Sequence, residues 1–170
     1  MKTWAIRIAL ASVLIVAVQV AAVSNYRIAG ITVMIVWLWP VIVGLLGASL
    51  PGIVAGAVSG FLFDTHVATP FGLFTITGMV LGWAAGQLGR EGIGDFDAAA
   101  WWMPTLIGAG FGFLGPVVLV VFSFLVGDAH LWRGDVGATM VINGIAFAIL
   151  VRPAARLARV LTGDLEGFRW

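Results

Sequence analysis

The chain has 170 residues, of which 61% are hydrophobic and 10% are charged. A soluble domain normally carries about 25% charged residues, so this composition excludes an ordinary soluble protein and indicates a polytopic membrane protein. The absence of cysteine excludes disulfides, thiolate metal sites and cysteine nucleophiles. The net charge of +1 conveys little, because in a membrane protein the placement of charge matters more than its sum.

The apolar stretches predict six membrane spans, since a crossing of about 30 Å takes about 20 helical residues. The uncharged stretch 28–63 is too long for one crossing, and the Pro and Gly of Ala48-Ser-Leu-Pro-Gly52 favour a break there. The predicted spans are 4–23, 28–47, 50–63, 71–89, 101–127 and 136–155, the last continuing towards Leu161. The first stretch also resembles a signal peptide, but its apolar run is longer than a usual signal core, so we expect a retained helix.

The basic residues predict the orientation of these spans. Six spans place both ends of the chain on one side of the membrane, and the positive-inside bias identifies that side as the cytoplasm. Five spans, with 28–63 as one crossing, would leave the arginine-rich end outside. We therefore expect one domain, residues 1–170, that is an all-α bundle of six transmembrane helices with both termini cytoplasmic. In this arrangement Lys2, Arg7, Arg90, Arg152, Arg156, Arg159 and Arg169 lie inside, and Arg27 and Arg133 lie outside.

Glycines recur every fourth residue in spans three and four. Residues four apart share one face of a helix, and small residues on such a face allow close packing in lipid. The two spans could pack on each other as a hairpin, or one face could receive a helix from another protein. The two series are Gly52, Gly56 and Gly60, and Gly78, Gly82 and Gly86; Gly108 and Gly112 in span five form a weaker third face.

The segment between these two series, Asp64 to Gly72, contains an acid and a histidine between apolar blocks. Asp64 and His66 could form a proton relay or contact a ligand. Alternatively, the Asp64 carboxylate caps the start of the following turn by accepting backbone N–H groups, and Pro70 sets φ before span four. One Asp–His pair provides too few ligands for a metal site.

Few other features suggest chemistry. Arg152, Arg156 and Arg159 share one helix face, which suits anionic lipid headgroups or a cytoplasmic partner. The sequence has no phosphate-binding glycine loop, nucleophile elbow or His-Glu-x-x-His motif, so we predict no catalytic residue, cofactor or metal. A transporter of ions or polar solutes normally has more intramembrane charge. The polar residues within the predicted spans are Gln19, Ser59, Thr75, Thr77, Ser123 and Asn143.

From Gly60-Phe-Leu-Phe-Asp64 to Pro70-Phe-Gly72-Leu-Phe the chain resembles the MreD family, the bacterial rod shape-determining membrane proteins. Members of that family are six-span proteins of about this size without a soluble domain. They tend to carry an Asp closing the third span, with Pro six residues on and Gly eight residues on. Asp64, Pro70 and Gly72 meet that spacing, whereas Thr65 and His66 stand where apolar residues are common in the family.

The resemblance implies a non-enzymatic scaffold in the bacterial cytoplasmic membrane that helps organise peptidoglycan synthesis and cell shape during elongation. Its implied partners are MreC, a single-span protein, the RodA glycosyltransferase with its penicillin-binding transpeptidase, and indirectly MreB; no nucleic-acid partner is expected. We expect the glycine face of spans three and four to dock the MreC helix. On that hypothesis Gly56→Leu or Gly82→Leu weakens the association without abolishing membrane insertion.

The alternative is the substrate-binding component of an energy-coupling-factor vitamin transporter, which has similar length and span number. Those proteins engage their coupling subunit through Ala-x-x-x-Ala faces in the first span, a spacing met here by Ala5/Ala9 and Ala17/Ala21. A vitamin site requires convergent polar groups. Those available outside are Asn25, Tyr26, Arg27, Asp64, His66, Asp128, His130 and Arg133. A membrane protein with no specific partner is the third possibility.

Overall fold

The computed structural model describes residues 3–21, 23–25, 27–28, 30–90, 100, 102–127 and 135–163. Within them the chain forms six α-helices, which confirms the prediction of a helical protein with six helices. Between the first two α-helices lie a short 3-10 helix, Val23–Asn25, and a two-stranded ribbon. The strands of the ribbon are β1 (Arg27–Ile28) and β2 (Ile31–Thr32). The helices are α1 (Thr3–Ala21), α2 (Ile35–Gly47), α3 (Ser49–Asp64), α4 (Leu73–Leu88), α5 (Met103–Leu125) and α6 (Val136–Thr162).

Three of the described helices, α1, α5 and α6, are long and apolar enough to cross a membrane, which supports the assignment as a membrane protein. The other three are shorter, with 13 residues in α2 and 16 each in α3 and α4. At 1.5 Å per residue they extend for about 20 to 24 Å, less than a hydrocarbon core of about 30 Å. They pack against one another, and α2 also contacts each of the long helices.

The prediction of a helix from residue 28 is wrong for its first part. Ile28 pairs with Ile31 and Arg27 with Thr32 in an antiparallel ribbon, and helix α2 begins at Ile35. Gly30 has a φ of +82°, which a glycine adopts readily in a turn. The β-branched residues that follow it favour an extended backbone.

The chain does break near the predicted position between α2 and α3. The break lies at Ala48, which has a φ of +83°. Pro51 falls within the first turn of α3, where the missing amide costs no intrahelical hydrogen bond. The two helices then run antiparallel, with the backbones of Gly44 and Gly52 in contact.

Helix α2 is the centre of the protein, since every residue from Val36 to Gly47 is buried. Its sequence is hydrophobic all round, as is typical of a helix surrounded by others. Trp37 stacks on Phe74 of α4 with ring centroids 5.5 Å apart. The indole N–H of Trp39 donates a hydrogen bond of 2.9 Å to Ser12 Oγ of α1. Both tryptophans therefore anchor α2 to its neighbours.

The start of α1 and the end of α6 lie at one end of the bundle, because the Arg7 guanidinium approaches Gly163. Helix α2 runs antiparallel to α1, since Val36 bonds to Gln19 and Trp39 bonds to Ser12, so the end of α2 lies at this same end. Gly89 contacts the backbone of Leu45, which brings the end of α4 there as well. We call this end of the bundle the basic end. The described arginines there are Arg7, Arg90, Arg152, Arg156 and Arg159.

Candidate functional site

The segment that joins α3 to α4 is organised by the carboxylate of Asp64, the last residue of α3. Asp64 is buried, with 3% of its surface exposed. Its Oδ1 accepts a hydrogen bond of 3.1 Å from the Phe74 amide, and its Oδ2 accepts one of 3.0 Å from the Thr75 amide. The Thr75 hydroxyl donates a third bond, of 2.6 Å, to Oδ2. The two amides belong to the first turn of α4, where backbone donors have no intrahelical partner.

Asp64 therefore acts as a cap, as one of the two hypotheses predicted, but it caps helix α4 and not the turn that directly follows it. A negative charge at this position also interacts favourably with the positive end of the helix dipole. Gly72 stands immediately before α4 with a φ of +99°, a conformation that strains other residues. Pro70 lies two residues further back, outside the first turn, and its carbonyl accepts a bond of 3.4 Å from the Leu73 amide.

His66 is directed to other partners than Asp64. Its Nδ1 lies 2.8 Å from the Leu62 carbonyl oxygen and 3.0 Å from Thr65 Oγ1, and its side chain is exposed. The hypothesis of an Asp64–His66 proton relay is thus not supported by the geometry. Among the described residues, no group of three His, Cys, Asp or Glu side chains could hold a metal ion.

The two glycine series pack against each other along the α3–α4 hairpin. Gly52 faces Gly82, Gly56 faces Gly78, and Gly60 faces the backbone of Phe74 and Thr75. A Cβ atom added to Gly56 would overlap the carbonyl of Gly78. Gly44 of α2 meets the same seam, so three helix backbones approach one another there. We call this contact the glycine seam, and its members are Gly44, Gly52, Gly56, Gly60, Gly78, Gly82 and Gly86.

The glycine seam matches the first of the two predicted alternatives, packing of one helix on its neighbour. The expected docking of a partner helix on this face conflicts with the structure, because each series is already covered by the other. The third glycine face is also covered, by α6. Gly108 approaches the backbone of Phe147, and Gly112 approaches that of Asn143.

Two buried amide side chains hold the start of α2. Gln19 of α1 donates from Nε2 to the Val33 carbonyl at 3.1 Å, and its Oε1 accepts from the Val36 amide at 3.4 Å. Asn143 of α6 accepts from the Met34 amide at 2.8 Å. Both side chains are fully buried. They satisfy backbone groups of the non-helical residues before α2 and of its first turn, a function that sequence reasoning missed.

The remaining predicted residues lie apart from Asp64. Arg152, Arg156 and Arg159 are on α6 near the basic end. Asn25 donates to the Ala21 carbonyl at 2.8 Å, so its side chain has a local partner. Several residues named in the sequence analysis lie outside the described part of the chain: Lys2, Tyr26, Asp128, His130, Arg133 and Arg169. Of Arg27 only the backbone is described.

Comparison with known proteins finds no family model, no curated protein and no solved structure that matches the chain. Function must therefore be inferred from the geometry and from the resemblance carried by Asp64, Pro70 and Gly72. Asp64, Gln19 and Asn143 are each engaged with backbone groups of another helix or of the segment before it. The described site thus positions helices relative to one another.

Proposed function

We propose that this protein is a non-enzymatic scaffold of the cell-elongation machinery in the bacterial cytoplasmic membrane, as the resemblance to the MreD family implies. The observation that carries the proposal is the capping of α4 by Asp64. This capping explains the motif of Asp64, Pro70 and Gly72 structurally, because the three residues lie in the connection that fixes α4 against the end of α3. A scaffold requires helices in a fixed arrangement, and this motif fixes α3 relative to α4.

In this proposal all six helices cross the membrane, the three shorter ones with local thinning of the bilayer, and both termini are cytoplasmic. The clustering of described arginines at the basic end supports this orientation through the positive-inside bias. The approach of Arg7 to Gly163 supports an even number of crossings, because it brings the first and last helices together at the same end.

The partners in this proposal are an MreC-like single-span protein, a RodA-type glycosyltransferase with its transpeptidase, and MreB indirectly. Since the glycine seam is filled, we place the contact with the single-span helix on α1. Ile6, Leu10, Leu14 and Val18 are spaced by four on that helix and are exposed by 59, 66, 51 and 41%. Such a row forms a ridge that can pack into the groove of another helix.

The proposal is tested by affinity purification of a C-terminally tagged copy from native membranes in mild detergent, with partners identified by mass spectrometry. We expect recovery of MreC and of elongation synthases. Replacing both Leu10 and Leu14 by Ala should lower MreC recovery. The matched control replaces Ile145 and Ile149, exposed residues of α6, and should leave it unchanged. Recovery of a pair of ABC-type ATPases with a coupling membrane subunit would contradict the scaffold and identify a vitamin-capture protein.

A further inference from the structure

An apolar groove of about 250 Å³ lies between α1, α2 and α6. Trp39 and Leu38 of α2 form part of its floor, Ile15 of α1 one side, and Leu150, Pro153 and Leu157 of α6 the other. The indole N–H of Trp39 is already bonded to Ser12, so this ring offers no free polar atom to an occupant. The groove therefore suits a hydrocarbon chain.

The residues of α6 that line the groove lie on one face of the helix. Leu150, Pro153 and Leu157 occur at i, i+3 and i+7, which places them on one face and extends the groove for about 10 Å along the helix. Pro153 has no amide to donate to the Ile149 carbonyl, so α6 lacks one backbone bond beside the groove. The Leu157 end of this face is the one nearer to the basic end of the bundle.

Positive charge stands next to that end of the groove. Arg156 directly precedes Leu157 in α6 and is exposed. Arg7, also exposed, lies at the end of α6 beside Gly163, further along in the same direction. An occupant that places a hydrocarbon chain in the groove and an anionic group beyond Leu157 would satisfy both the apolar lining and the two guanidinium groups.

We propose that this groove binds one acyl chain of an anionic glycerophospholipid whose phosphate headgroup contacts Arg156 and Arg7. The inference goes beyond the scaffold function and does not depend on it. It differs from general attraction of basic residues to a membrane surface, because it assigns the chain and the headgroup of one lipid molecule to stated positions.

The test uses the purified full-length protein in mixed micelles with phosphatidylglycerol that carries a photoactivatable diazirine on its acyl chain. After irradiation, labelled peptides are identified by mass spectrometry. We expect labelling at the α6 segment from Leu150 to Leu157, and stronger labelling than with a phosphatidylcholine probe of the same chain. Equal labelling by the two probes would show ordinary surrounding lipid and overturn the proposal. Absence of label in this segment would show another occupant and also overturn it.

Two variants test the headgroup contact and the acyl-chain groove separately. Arg156→Gln should lower phosphatidylglycerol labelling by roughly fivefold, the factor that corresponds to one surface charge, and leave phosphatidylcholine labelling unchanged. Ala154 also lines the groove, and Ala154→Phe should reduce labelling by filling it. Ile149→Phe is the matched control, because Ile149 is 69% exposed and is not part of the lining. An unchanged preference for phosphatidylglycerol in Arg156→Gln would contradict the proposed headgroup contact, whether or not Ala154→Phe folds.

Discussion

Thr75 donates two hydrogen bonds to one oxygen of Asp64, from its amide at 3.0 Å and from its hydroxyl at 2.6 Å. The two residues belong to different helices, and Asp64 is buried at their junction. A carboxylate that accepts from backbone amides and a hydroxyl forms charge-assisted bonds, which are shorter and stronger than neutral ones. This contact fixes the end of α3 against the start of α4.

Removal of the carboxylate should destabilise the hairpin. Asp64→Ala leaves the amides of Phe74 and Thr75 without their acceptor, and we expect a loss of about 2 to 4 kcal/mol in unfolding free energy. Asp64→Asn keeps one acceptor oxygen and should lose about half as much. Thermal unfolding in detergent, followed by circular dichroism, measures both. Wild-type stability in Asp64→Ala would refute the capping function.

Substitution in the glycine seam should damage the fold itself. Gly56→Ala places a methyl group against the Gly78 backbone, and we expect a cost of about 1 to 3 kcal/mol, the range for overpacked sites. Gly110→Ala is the matched control, since a Cβ there meets open space and alanine is the better helix former. Gly56→Leu should consequently lower the yield of folded protein, not only partner recovery. Equal melting temperatures for Gly56→Ala and Gly110→Ala would contradict close backbone packing in the glycine seam.

Loss of Asn143 should weaken the start of α2. Asn143→Leu removes the acceptor of the Met34 amide, and an unsatisfied buried amide costs about 1 to 3 kcal/mol. Hydrogen exchange at Met34, measured by mass spectrometry of the peptide that contains it, should accelerate in this variant. Thr139→Ala serves as the control, because its hydroxyl donates to the carbonyl of Asp135, the residue that precedes α6, and not to α2. Unchanged exchange in Asn143→Leu would exclude the proposed anchoring.

The orientation can be tested with single cysteines, because the chain contains none. Asn25→Cys lies at the end opposite to the basic end, and Arg156→Cys lies near the basic end. We expect a membrane-impermeant maleimide to label Asn25→Cys in intact cells, and Arg156→Cys only after permeabilisation. The reverse pattern would contradict cytoplasmic termini.

The glycine spacing identified the faces along which α3 and α4 pack, although it left open whether the neighbouring helix or a partner would cover them. The Pro-Gly pair predicted where α2 would end. Both signals are local, since a period of four defines one helix face and turn residues act on adjacent backbone. The sequence also predicted that the last helix continues towards Leu161, and α6 ends at Thr162. These features depend on residues close together in the chain.

The features that sequence reasoning missed depend on distant residues. The Met34 amide donates its hydrogen bond to Asn143 Oδ1, 109 residues away in the chain, and Gln19 reaches Val33 and Val36 from another helix. Without these partners the apolar residues before Ile35 resemble the start of a membrane helix. The acceptor function of Asp64 could be predicted from its residue type, but its donors in α4 became evident only when the turn placed them beside it.

We propose that this protein serves cell elongation, and the decisive experiment is its depletion in its native bacterium. Cell width would be measured by microscopy over several generations after expression is switched off, with a plasmid-borne wild-type copy as control. We expect depleted cells to widen and round up, and we expect the wild-type copy to restore their width while Asp64→Ala restores it less well. Unchanged width in depleted cells that grow only with an added vitamin would contradict the scaffold function.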